Sequence, residues 1–402
     1  MNAFIKEGFI LILIENATVW TMTGPPIAGG SVLVREGKIA AVGRDIALRD
    51  TQDLQRIDAA GGWVLPGLVE AHCHIGISEE RVGGVGDDCN ELVTPLTPSL
   101  RAVDAVNPMD SAFHNALAAG ITTVMTGPGS ANVVGGQFVA LKTHGRNIAE
   151  MVLRERAALK VAFGENPKTN YGGKGNAPAT RMAIAAMLRE ALNKARDYLN
   201  EKQAAQKAGR SFKMDYQQEA YLPVLRGEIP LKAHVHRADD ILTAIRIAKE
   251  FGLKMTLDHC TEGHLIAREV AASGFPAIVG PSLASRSKVE VENLDFKTAG
   301  VLRKVGVEVA ICSDHPVTLI QYLPIYAGLA AREGLGQAGA LRAITAGAAR
   351  ILGVDHRVGT LQAGKDADIA IFSGNPLETA TCTLYTLVNG QVVYDRARDG
   401  ER

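Results

Sequence analysis

Val64-Leu65-Pro66-Gly67-Leu68-Val69-Glu70-Ala71-His72-Cys73-His74 is an apolar run that ends on two histidines one residue apart. Successive side chains of a strand point to opposite faces, so His72 and His74 share one face and Cys73 takes the other. Two imidazoles side by side where a buried strand runs out are placed to grip one metal ion. Cys73 reads as packing.

Outward from that run, the middle of the chain alternates strands and helices, the pattern of parallel βα units. Eight strands are predicted: Val64–Glu70, Ile121–Thr126, Phe138–Thr143, Leu159–Gly164, Leu231–His236, Lys254–Asp258, Ala277–Gly280 and Val307–Ser313. Helices are predicted at Ala179–Tyr198, Asp240–Phe251 and Thr298–Val305. This order fits an α/β fold built on a (β/α)8 TIM barrel. Residues 78–107 and 166–178 are expected as long loops at the C-terminal face, where loops carry function. Both ends of the chain read as β structure, with Leu11–Thr21, Ser31–Arg35 and Ile39–Val42 early and Ala367–Phe372 and Leu384–Tyr394 late. Asn389-Gly390 breaks the last of these as a hairpin turn. The expected organisation is a small β-sandwich domain from residues 1–62 and 356–402 around a barrel at 63–355.

Composition narrows the classes. The 402 residues carry 43 basic and 43 acidic side chains, so no basic excess points to nucleic acid or a membrane surface. The apolar stretch Phe9–Ile14 stops at Glu15 and is too short to span a bilayer. Five scattered cysteines with no CxxC pair argue against a disulfide scaffold and for a reducing, cytoplasmic setting. Gly127-Pro128-Gly129 and Gly135-Gly136 lack the Lys-Ser/Thr of a phosphate loop and read as turns.

The candidate ligands share one location. His72 and His74 end the first predicted strand, Glu165 the fourth, His234 and His236 the fifth, His259 the sixth and Asp314 the eighth. Strand ends on one side of a barrel converge on one mouth, and histidine with carboxylate suits Zn²⁺ and similar divalent ions. His234 and His236 are both in phase to face that mouth. His315 lies on the other phase from Asp314. Asp239 and Asp240 read as helix caps.

This constellation resembles the amidohydrolase superfamily of metal-dependent hydrolases, in its imidazolonepropionase-related branch. The flanking stretches Leu65–His74, Gly359–Asp368 and Ile39-Ala40-Ala41-Val42-Gly43 resemble that family too. The resemblance implies that His72, His74 and Asp314 hold one metal and that His234 and His259 hold a second. It implies that Glu165 bridges them, in the place where many relatives carry a carboxylated lysine; Lys168 and Lys174 are rivals for that place. It implies one or two divalent ions per chain, zinc by default, and hydrolysis by a metal-activated hydroxide with Asp314 as general base and then acid.

Deaminases of the superfamily, and imidazolonepropionase, carry a Glu three residues after the strand-five histidine. Here those positions are Arg237 and Asp239. The expectation is therefore an amide, peptide or cyclic-amide hydrolase acting on a small carboxylate-bearing molecule such as a dipeptide or N-acyl amino acid. Arg237 is a candidate for the substrate carboxylate, though it is also placed to pair with Asp239 or Asp240, and His236 is a candidate substrate contact. The alternatives are a mononuclear deaminase of a heterocycle and a non-catalytic scaffold. The expected partner is a small molecule, with oligomeric state left open and a homo-oligomer allowed.

Overall fold

The computed structural model describes residues 11–48 and 54–400. Phe9 and Ile10 of the first apolar stretch lie outside them. Among the described residues sixteen strands form two sheets, and no helix is long and apolar enough to cross a membrane.

The chain ends share the first sheet. Its strands are β1 (Leu11–Val19), β2 (Ile27–Arg35), β3 (Lys38–Gly43), β4 (Leu54–Asp58) and β5 (Trp63–Pro66) from the N-terminal part. The barrel strands run from β6 to β13, and the C-terminal part returns β14 (Ile369–Phe372), β15 (Thr383–Val388) and β16 (Gln391–Asp395). The order is β16-β15-β14-β5-β1-β2-β3, with β4 beside β1. Ile12, Ile14, Val32, Val64, Ile369 and Leu387 gather in its own apolar core. Asn389 and Gly390 both take positive φ (50° and 74°) and make the tight turn expected between β15 and β16.

The apolar run that ends on His72 and His74 is two strands, not one. β5 ends at Pro66 in the terminal sheet, and β6 (Leu68–Cys73) starts the barrel. Gly67 is the corner: a Cβ there would stand 2.1 Å from Thr122 Oγ1, and its N–H donates to Asp368 O at 2.8 Å. Only a residue without a side chain lets the chain pass from one sheet to the other at that approach.

The barrel continues through β7 (Ile121–Thr126), β8 (Val134–Lys142), β9 (Val152–Ala162), β10 (Leu231–Val235), β11 (Met255–His259), β12 (Ala277–Val279) and β13 (Val309–Ile311). Neighbours pair in sequence order. β8 departs from the parallel pattern: it is antiparallel to both β7 and β9. Loop length dictates this. A parallel crossover needs a dozen or more residues, and only residues 127–133 and 143–151 flank β8. Backbone bonds at the mouth close the seam between β6 and β13, Asp314 N–H to His72 O (3.2 Å) and His74 N–H to His315 O (2.7 Å). The fully buried Glu70 carboxylate spans the same seam by accepting the N–H groups of His72 (3.0 Å) and Ser313 (2.9 Å). The predicted helices are present, as Arg181–Lys207, Ala238–Phe251 and Lys297–Lys304. The loop expected at 166–178 is helical over most of its first half, within Glu165–Gly172.

Candidate metal centre

The ends of β6, β10, β11 and β13 do meet at one mouth. His72, His74, His234, His236 and His259 are all buried there, around an Asp314 that is 9% exposed. Two groups are compact enough for a metal: His234, His236 and His259, and His72, His259 and Asp314. The backbone bends to bring them in. His259 and Asp314 sit at φ of 69° and 55°, a left-handed conformation that costs a non-glycine residue energy and is kept where the surrounding structure requires it. On β11 Asp258 faces the interior by strand phase, and the turn at His259 lets the next side chain join it.

Hydrogen bonds fix the rings of His74 and His259, and a charge contact to Asp258, outside hydrogen-bond geometry, positions His72. His74 Nδ1–H donates to Gly127 O at 2.6 Å and His259 Nδ1–H to Gly280 O at 2.7 Å. His72 Nδ1 lies 2.9 Å from Asp258 Oδ2, itself 3.3 Å from the buried Lys232 Nζ. A neutral imidazole that donates through Nδ1 has its lone pair on Nε2. The Nε2 atoms of His72 and His74 each lie 3.3 Å from Asp314 Oδ1, which has no hydrogen-bond partner among the described residues. With both rings neutral, as metal ligands must be, three acceptors would face one another in a buried space, an arrangement that a cation between them resolves.

Charge states agree. Burial drives the basicity of His72 down and that of His234 and His259 well down, and it lowers His236 to about 3. Burial opposes ionisation of Asp314, but His259, His72 and His74 outweigh it and hold the carboxyl well below the usual carboxylate range. His74 runs the other way: burial lowers it, yet the Cys89 side chain and Asp314 outweigh burial and push it up to about 10. The Asp314 carboxylate thus draws a positive charge, here a ring proton, to the place that a metal cation would take. The donor set of imidazoles and one carboxylate fits zinc or a similar ion.

Two sequence-predicted residues stand elsewhere. Glu165 is not among the converging side chains. β9 stops at Ala162, Gly164 turns at φ 81°, and Glu165 already opens a helix, its N–H donated to Glu290 Oε2 at 2.8 Å. The side chain that β9 aims inward is Lys160, fully buried, with Nζ 3.3 Å from His72 Nε2. Burial lowers it to about 8, against the pull of Asp258 and Asp314. Strand phase could have found it, since Lys160 shares its phase with Ala162 and pairs in register with Lys232. Arg237 pairs with Asp239 (3.0 Å) just before its helix and is absent from the cavity wall. Of the strand-five histidines, both His234 and His236 reach the centre, their rings 4.6 Å apart.

A cavity of about 600 Å³ opens above the centre. His74, Lys160, His234, His236, His259 and Asp314 form part of its wall, and Cys89, Asn90, Asn166 and Lys288 come from the surrounding loops. Lys288 Nζ donates to Asn166 Oδ1 at 2.6 Å. No periodicity in the sequence marks these loop residues.

Residues 63–394 match the amidohydrolase family. Amidohydrolase tasK of Hapsidospora irregularis is 27% identical over 98% of this chain, which spans only 44% of that protein's length. The imidazolonepropionase of Cupriavidus pinatubonensis (strain JMP 134 / LMG 1197) is 25% identical over 86% of this chain and 84% of its own. The crystal structure of an amidohydrolase from Thermotoga maritima MSB8 superposes with a TM-score of 0.93 at 41% identity, covering 96% of this chain and all of that one. With the family match spanning most of its length, the chain belongs to the amidohydrolase family.

Proposed function

We propose that this hydrolase of carbon–nitrogen bonds cleaves a small carboxylate-bearing amide, such as a dipeptide, N-acyl amino acid or cyclic amide, at a metal centre held by His72, His74 and Asp314, with His234 and His259 beside it. The observation that carries the reading is Asp314 Oδ1, buried, without a hydrogen-bond partner among the described residues and 3.3 Å from the Nε2 atoms of both His72 and His74. A divalent ion bound there supplies Lewis acidity, polarising a carbonyl and acidifying water. Asp314 supplies the proton traffic. Held ionised by its three histidines, it accepts a proton from the attacking water and passes it to the leaving nitrogen.

Lys160 takes the place on the fourth strand that the family resemblance gives to a carboxylated lysine. With its ammonium lowered to about 8, a share of it is free amine near neutrality, the form that adds carbon dioxide to give a carbamate and a proton. Lys288, at the cavity wall with a side chain 40% exposed, replaces Arg237 as the receiver of a substrate carboxylate. The deaminase reading is disfavoured because Arg237 and Asp239, which stand where the deaminase Glu is expected, bind each other outside the cavity.

The test is metal analysis of protein purified without chelators, followed by a screen of dipeptides, N-acyl amino acids and cyclic amides. The expected result is bound transition metal and turnover that disappears in Asp314→Ala while the far-UV spectrum is unchanged. Protein free of transition metal, or full activity in Asp314→Ala, would overturn the reading.

A further inference from the structure

The loop that follows β12 sends one carboxylate back beneath the mouth of the barrel. Glu290 lies in a single turn, Val289–Val291, and is 1% exposed. Its Oε2 accepts the Glu165 N–H at 2.8 Å, and the Glu165 carboxylate accepts the Glu290 N–H at 3.4 Å in return. Gly164 makes room for this exchange: a Cβ there would lie 2.8 Å from Glu290 Oε2. The other oxygen, Oε1, has no hydrogen-bond partner among the described residues. It lies 3.7 Å from His234 Nε2 and 3.9 Å from His236 Nε2.

A carboxyl group buried to this degree calls for a partner at its free oxygen. Lys288 Nζ is 3.6 Å away, but its side chain is 40% exposed and it is hydrogen-bonded to Asn166. Donors around a tetrahedral ion with bonds near 2.1 Å stand about 3.4 Å apart. The two Oε1 contacts exceed that by a few tenths of an ångström, a gap that small side-chain rotations close. Two histidines and one carboxylate form a donor set common to zinc, iron and manganese.

We propose that Glu290 is a metal ligand: with His234 and His236 it completes a second cation site, supplying a carboxylate from the loop after β12 in addition to the fourth-strand place that Lys160 takes. The proposal rests on the reading of this mouth as a metal centre, but the His72, His74 and Asp314 site does not include Glu290, so the two can fail separately.

The experiment is equilibrium dialysis against zinc, with ions per chain counted by mass spectrometry, for wild type, Glu290→Gln and Glu165→Gln. The amide introduced by Glu290→Gln retains an oxygen for the Glu165 N–H, so the loop stays anchored. The expected result is two ions in wild type and in Glu165→Gln, and one in Glu290→Gln, with the affinity for the lost ion down about tenfold or more. If Glu290→Gln does not fold, Glu290→Asp, which keeps the charge but withdraws it by one methylene, is expected to lose the same ion. Two ions bound equally well in the Glu290 variants, or one ion in wild type that these variants leave untouched, would overturn the proposal while leaving the first site standing. No ion in wild type would overturn both.

Discussion

Asp258 shows how a side chain that is not itself a candidate ligand governs the centre. Its Oδ2 lies 2.9 Å from His72 Nδ1, and Thr256 Oγ1 donates to its Oδ1 at 2.8 Å. Burial raises its pKa, but Lys232, His72 and Lys160 outweigh burial and hold it ionised. An ionised Asp258 keeps the His72 proton on Nδ1 and the lone pair on Nε2. Asp258→Asn removes the charge that selects this tautomer. Loss of such a partner costs roughly 10–100-fold in metal affinity, so a chelator-competition titration should show zinc held more weakly by that factor, with the fold intact. Unchanged affinity would mean that His72 is oriented by packing alone. Glu70 offers a second test, through pH. Burial pushes its carboxyl up to about 7, despite the hydrogen bonds from His72 and Ser313. The folded state therefore binds its proton more tightly than the unfolded state, whose value is about 4.3. The resulting stabilisation is complete below about pH 4 and is lost as pH rises through 7, a change on the order of 3 kcal/mol. In urea unfolding of metal-free protein, wild type should lose that much relative to Glu70→Gln between about pH 4 and pH 8. Parallel profiles would show that Glu70 titrates normally.

At the scale of elements, what the sequence discloses depends on whether a residue's position follows from strand period. His72, His74 and His234 are legible because alternate residues of a strand share a face, and the structure places all three at one mouth. Lys160 follows the same rule but is obscured, because the apolar pattern carries on two residues past the end of β9 and makes Glu165 look like the strand's last position. Glu290 is not legible at all: it reaches the centre on a loop, and loops have no period. The direction of β8 follows from its short connections, which the sequence blurs because both β8 and β9 start before the predicted strands at Phe138 and Leu159. Gly67 makes the most local of these lessons measurable. It joins the β5 and β6 segments that hydrophobicity alone merges into one strand. Gly67→Ala drives a methyl group into Thr122 and should destabilise the fold by about 2–4 kcal/mol. Thr122→Ala should not rescue it, since Thr122 Cβ would itself be 2.7 Å from the new carbon. A Gly67→Ala protein as stable as wild type in urea would mean that the corner is open to side chains.

At the scale of the whole molecule, the terminal sheet is fastened to the barrel by a buried cation. Lys142, on the antiparallel strand β8, pairs with Asp366 (2.8 Å) and Asp368 (2.9 Å), on the segment leading into β14, and donates to Asn389 in the last hairpin. All three charged groups are buried. Asp366 keeps other partners, since Arg357 (2.7 Å) and Lys38 also contact it. The Asp368 carboxylate has only the Asn389 N–H besides Lys142 among its hydrogen bonds with described residues, and its Oδ2 has no partner there. Removing one partner of a buried pair costs about 3–5 kcal/mol, because the other charge is left uncompensated. Lys142→Met should therefore lower stability by that amount, with the unpaired Asp368 as the source. Neutralising that charge tests the cause: Lys142→Met with Asp368→Asn should be more stable than Lys142→Met alone, although it lacks one more native group. If calorimetry finds the double variant less stable than the single one, the ion pair stabilises by mutual attraction, and the cost of Lys142→Met does not come from stranding Asp368.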